Sequence, residues 1–96
     1  MKVMTIVRGE VPAERSGMFE AAYLSIRAES LPPGLEISYL TRRKDSSGTY
    51  TIETVWSSRD ALDAMRSSTK PRAVALFEEV GVSPIVEIHE IVSSVP

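Results

Sequence analysis

The segment Val3 to Val7 limits the possible folds more than any other stretch of the chain. It is a short apolar run containing β-branched residues, it is bounded by Arg8-Gly9-Glu10, and it reads as a strand. Val3 and Val7 fall on one face, Met4 and Ile6 on the other. A strand that is apolar on both faces has to be covered on both. A chain of 96 residues makes one small domain. One layer of helices covers one face, and the other face needs a second source of apolar surface.

The rest of the chain continues a simple alternation. Pro12 suits a first helical turn, with Glu14 where negative charge is favoured. Met18, Phe19, Ala22, Tyr23 and Ile26 then recur at helical spacing and predict one apolar stripe. The helix must end before Pro32-Pro33-Gly34. Glu36 to Arg42 alternates Ile37 and Tyr39 against Ser38 and Leu40, as a strand does. Lys44 to Gly48 carries turn residues, and Thr49 to Trp56 is rich in Thr, Tyr, Ile, Val and Trp, so the two strands make a hairpin. Ser57 or Ser58 can cap a helix that turns Ala61, Leu62 and Met65 inward. Ser67 to Pro71 interrupts it. A second piece places Ala73, Leu76, Phe77 and Val80 at i, i+3, i+4, i+7, and Gly81 fits a left-handed stop. Ile85 to Val92 reads as the last strand.

The predicted order is β-α-β-β-α-β, a single α+β ferredoxin-like domain over residues 1–96 with a four-stranded antiparallel sheet. Helices on one face leave the apolar side of strand one bare, at a cost on the order of 25 cal/mol per Å² of apolar area. A twofold partner presenting the same face removes that cost. The expected assembly is a homodimer, two sheets back to back in a dimeric α+β barrel.

Composition closes several routes. Net charge is −2, which argues against a nucleic-acid partner because phosphate binding needs a basic face. Arg42-Arg43-Lys44 is the one basic cluster and reads as a solvated hairpin tip. Strand three lacks the Gly-aromatic pattern of RNA-binding domains with this order of elements. Cysteine is absent, which removes disulfides, thiolate metal sites and Cys nucleophiles. With His89 the sole histidine, no metal is expected. Met1 to Val7 is too short for a signal peptide, and no stretch approaches the ~18 apolar residues of a membrane helix, so the expected location is cytoplasmic without membrane contact.

Between Leu31 and Ile91 the pattern becomes more specific. Pro33-Gly34 precedes a strand, a turn, and a strand ending in Trp56-Ser57-Ser58. Arg59-Asp60-Ala61-Leu62-Asp63-Ala64 follows, then a Ser-rich break and a helical piece ending near Phe77. With Val11-Pro12 leading to Phe19, this resembles the antibiotic-biosynthesis monooxygenase family over nearly the whole chain. The resemblance implies a homodimer with a pocket in each subunit between sheet and helices. It also implies kinship with quinone-forming oxygenases that need no metal or flavin, and with haem-degrading oxygenases. Of the positions used by quinone-forming members, Trp56 matches. The polar strand position is Ile52, the helix aromatic is Leu62, and the Arg falls near Leu76, one turn after Arg72. The Asn, Trp and His of haem-degrading members fall near Val7, Met65 and Ala75, so haem degradation by that scheme is not expected. Many members carry a Glu two residues before the Trp; here Thr54 stands there, beside Glu53.

Trp56 is either a plug between sheet and helices or the wall of a pocket that stacks on an aromatic ligand. Tyr23, Tyr39 and Tyr50 are candidate phenol donors, each with a half-buried structural role as the alternative. His89 is the sole imidazole and the candidate base. Arg72 is the candidate for holding an anionic substrate. Met65, Phe77 and Leu62 would line the pocket or fill it. Two functions stand at this point: a cofactor-independent monooxygenase of small aromatic or enol-bearing substrates, and a non-catalytic module that binds a small ligand or another protein.

Overall fold

A computed structural model describes residues 1–45 and 48–96; Ser46 and Ser47 of the expected turn lie outside the described residues. The elements run β1 (Val3–Glu10), a 3₁₀ turn (Ala13–Arg15), α1 (Ser16–Ser25), a second 3₁₀ turn (Ile26–Ala28), β2 (Leu35–Arg42), β3 (Thr49–Trp56), α2 (Arg59–Ser68), α3 (Arg72–Glu79) and β4 (Ile85–Glu90). The four strands form one antiparallel sheet in the order β2-β3-β1-β4. This is the α+β ferredoxin-like architecture read from the sequence, with its second helix split in two. Among the described residues no helix is long and apolar enough to cross a membrane.

Local chemistry sets the boundaries. Ser58 caps α2, its Oγ accepting from the Ala61 N–H at 3.1 Å. Pro71 lies at the start of α3, and Gly81 follows that helix at φ 81°. β1 runs three residues beyond the apolar run because pairing continues through Arg8↔Thr51, Gly9↔Tyr50 and Glu10↔Thr49. Gly9 is required there: a Cβ would stand 2.8 Å from Phe77 Cδ1. β4 stops at Glu90, two residues short of expectation, although the Ile91 N–H still donates to the Lys2 carbonyl at 2.9 Å. Met18, expected on the inner stripe, is 62% exposed. The buried side of α1 is centred on Phe19, Ala22, Tyr23 and Ile26, and Met18 lies about 90° around the helix from that centre.

The helix-facing side of the sheet holds two apolar clusters. The larger joins Val7, Val11, Phe19, Tyr50, Ile52, Leu76, Phe77 and Val80. The smaller joins Val3, Trp56, Leu62 and Met65. The opposite face, read from the strand register, carries Ile37, Val55, Met4 and His89 in one row and Tyr39, Glu53, Ile6 and Glu87 in the next. No helix among the described residues covers that side. Tyr39, Ile37 and Ile85 are all exposed there.

Candidate functional site

Between the two clusters the inner face of the sheet changes from apolar to polar for one row. β3 turns Tyr50, Ile52, Thr54 and Trp56 inward, all buried, and Thr54 is the one whose side chain could have been a Val without loss of packing. Its register partners are Ser38 on β2 and Thr5 on β1, so three hydroxyls cross the sheet side by side. A bulge between Leu35 and Ile37 is what allows this. It puts Leu35 and Ser38 on the same face although they are three residues apart, so Leu35 packs beside Trp56 while Ser38 meets Thr54.

The row is joined from above at both ends. From α1 the Tyr23 hydroxyl donates to Ser38 Oγ at 2.9 Å, and Thr54 Oγ1 donates to the same oxygen at 3.2 Å. At the other end the Trp56 indole N–H donates to Thr5 Oγ1 at 3.1 Å. Burying an unpartnered hydroxyl costs about 1–3 kcal/mol. Here every buried polar side-chain atom among the described residues has a partner. The donors are not all used, however. The indole N–H makes Thr5 Oγ1 an acceptor and leaves the Thr5 hydrogen without an acceptor among the described partners, while the Tyr23, Ser38 and Thr54 hydroxyls hold three hydrogens for the two contacts between them. The row therefore offers two O–H donors to an incoming oxygen, in an apolar setting that strengthens such bonds. None of the side chains joined in it (Thr5, Ser38, Thr54, Tyr23 and Trp56) carries a carboxylate or an imidazole.

Beside the row, on the Trp56 side, an open hollow of about 570 Å³ lies between the Ser30–Gly34 connector and α2, with Met65 among its lining residues. Met65 also packs in the cluster with Trp56.

The structure brings Trp56, Tyr23 and Met65 to this region and leaves the other sequence candidates elsewhere. Tyr50 is 1% exposed in the larger cluster, its ring 5.2 Å from that of Phe19, and its hydroxyl donates to Glu20. Burial, followed by the Glu20 contact, raises its pKa above the usual phenol value. Phe77 is fully buried against Phe19, with ring centroids 4.7 Å apart. Arg72 is taken up by Glu29 in a two-point contact at 3.1 and 3.2 Å and by Glu79 at 3.5 Å. Tyr39 and His89 stand on the open face of the sheet, across it from Trp56. His89 Nε2 is 2.8 Å from Glu87 Oε1, a contact that holds the Glu87 carboxyl below its usual range. The positions of the haem-degrading scheme hold Val7, Met65 and Ala75, and the one imidazole is on the wrong side of the sheet to replace a helix-borne ligand. Thr5 and Ser38 were not singled out by sequence, and Thr54 only as standing where many members of the resembled family carry Glu. Their signal was available only as polar residues on inward positions of three strands.

No protein-family model matches the chain, and no curated protein matches it by sequence. Solved structures do match in fold. SnoaB from Streptomyces nogalater, a cofactor-independent oxygenase solved as a point mutant, superposes with a TM-score of 0.75 at 18% identity, over 99% of this chain and 97% of that one. A protein from Caulobacter crescentus CB15, provisionally named an antibiotic biosynthesis monooxygenase, gives 0.73 at 23% identity, over 96% and 91% of the two chains. The haem degrader MhuD from Mycobacterium tuberculosis, solved with two haems in its active site, gives 0.73 at 24% identity, over 98% and 99%. The chain therefore shares its fold with solved proteins named antibiotic biosynthesis monooxygenases, at 13–23% identity.

Proposed function

We propose that the protein binds a small, uncharged, oxygen-bearing aromatic molecule over the Ser38–Thr54–Thr5 row and oxidises it with O₂, without a metal or a flavin. The observation that carries this reading is the row itself. Three neutral hydroxyls, a phenol and an indole N–H sit between two apolar clusters, where plain packing calls for methyl groups. Such a surface suits a flat apolar ring with a hydroxyl or carbonyl at its edge. SnoaB, a cofactor-independent oxygenase of the same fold, supports the reaction type.

The chemistry fits a substrate such as 1-naphthol. The proton lost from its hydroxyl passes to solvent, and the Ser38 and Thr5 O–H groups stabilise the oxyanion that remains. The anion gives one electron to O₂. The ring radical and superoxide then join in a C–O bond at the para carbon, and loss of water from the hydroperoxide leaves a second carbonyl. One oxygen atom ends in the naphthoquinone and the other in water, so the substrate supplies every electron. An oxygen electrode with 1-naphthol tests this. Uptake matched to quinone formation, and lost in Thr5→Val and Trp56→Phe, is the expected result. Equal uptake in both variants would remove the site.

The lack of any carboxylate or imidazole in the row favours a second reading, a module that binds the same class of ligand without turnover. Saturable binding with no oxygen uptake is its mark. Under either reading we propose that the protein works as a homodimer, joined through the bare sheet face that carries Met4, Ile6, Ile37, Tyr39 and Val55.

A further inference from the structure

We propose that the hollow between the Ser30–Gly34 connector and α2 is the entry vestibule for an uncharged planar ligand, and that the Met65 side chain is the partition between this vestibule and Trp56. The inference rests on the proposed binding site and adds the route to it. It begins from the lining. Pro32, Pro33, Ala61, Ala64 and Met65 give an apolar surface, interrupted only by Ser and Thr hydroxyls, and no charged side chain is among them. On a chain in which a quarter of the residues are charged, an open hollow of about 570 Å³ without one repels neither rings nor neutral oxygens. Its volume falls within the range of small-molecule sites.

The outer wall is fixed. The Gly34 carbonyl accepts from the Ser57 N–H at 2.8 Å, which ties the connector to the β3–α2 junction. Gly34 has φ 88°, and a Cβ there would stand 2.5 Å from the Ala61 Cβ, so the connector backbone lies directly on α2. The inner wall is different. Met65 lines the hollow with one side and packs with Trp56, Leu62 and Val3 with the other. An unbranched thioether with three rotatable bonds is the side chain best able to move aside without backbone motion. Behind it stands Trp56, and behind Trp56 the hydroxyl of Thr5. A ligand that displaced Met65 would pass from solvent to the indole face and the hydroxyl row in one step.

Trp56 is the sole tryptophan, so its emission reports arrival directly. The experiment is stopped-flow quenching of Trp56 by 2-methyl-1,4-naphthoquinone in the wild type, Met65→Ala and Ala64→Leu. Ala64 is an exposed residue of α2 that lines the hollow, and Leu keeps the helix there while filling the space. Association is expected to slow by about tenfold or more in Ala64→Leu and to quicken in Met65→Ala, as a change of access rather than of contact does. Thermal melts of both variants confirm that they are folded. Saturable quenching in the wild type with the same association rate in Ala64→Leu overturns the vestibule and leaves the binding site standing. No quenching in the wild type, at concentrations where acrylamide still quenches, overturns both.

Discussion

Replacing Thr54 with Val separates the stability of the hydroxyl row from its use. Thr54 is 5% exposed, and Val has nearly the same shape, so the change exchanges a buried hydroxyl for a buried methyl. The methyl gains about 0.8 kcal/mol of apolar burial. The lost hydrogen bond costs about 0.5–1.5 kcal/mol, and at 3.2 Å to Ser38 Oγ it is long for an O–H···O contact, which places it at the low end. Ser38 is not left bare, because Tyr23 still donates to it at 2.9 Å. The two terms cancel to within about 1 kcal/mol, a shift of at most roughly 4–8 °C in Tm for a domain of this size. Thr54 makes no contact of its own to the ligand; the change loosens the Ser38 hydroxyl that Thr54 holds from β3, and a misplaced donor in an apolar site costs about 1–3 kcal/mol, or five- to more than a hundredfold in affinity. Urea denaturation and a naphthoquinone titration of the same sample measure both. A variant at least as stable as the wild type but clearly weaker in binding is the expected result. A loss of more than about 2 kcal/mol in stability with unchanged affinity would show that the row is structural.

Three other outcomes follow from the packing. Gly9→Ala forces a Cβ to within 2.8–2.9 Å of the Phe77 ring and Val82 Cγ1, and should cost about 1–3 kcal/mol of overpacking by denaturant titration. Tyr50 has its pKa raised above the ordinary phenol value by burial and the Glu20 contact. Its neutral form is the one favoured in the folded state, so its contribution to stability is complete below the ordinary value and is lost as pH rises through the folded pKa. The stability advantage of the wild type over Tyr50→Phe should be steady through neutral pH and shrink only in that alkaline window. Ile6 stands near the middle of the bare sheet face, and Ile6→Asp should shift light-scattering mass from dimer to monomer at micromolar concentration without unfolding the chain. A wild type that is already monomeric there would remove the barrel.

The fold was readable because its elements carry strong periodic or punctuating residues. β3 has the bounds that its run of β-branched and aromatic residues predicts, and the second helix divides within the expected Ser67–Pro71 break, although Ser67 and Ser68 themselves stay in α2. The misplacements have local causes. Met18 looks apolar in a list but lies off the buried side of α1, and β1 gains its last residues from pairing with a distant strand rather than from its own apolarity. The site was far less readable. Thr5, Ser38 and Thr54 meet only through strand register, and the bulge after Leu35 that brings Ser38 to the inner face has no mark in the sequence. Trp56 and Tyr23 were visible because rings are rare in this chain. His89 was chosen for its chemistry, and only the sheet's parity shows that it stands on the face opposite Trp56.

The proposed site can be read at one atom. Trp56 is the sole tryptophan, so the amide spectrum contains a single indole N–H resonance, that of the group bonded to Thr5 Oγ1. In a titration with 2-methyl-1,4-naphthoquinone this resonance should move saturably, together with the amides around Thr5, Ser38 and Thr54. An indole signal that stays fixed while resonances of the open sheet face move instead would contradict the account.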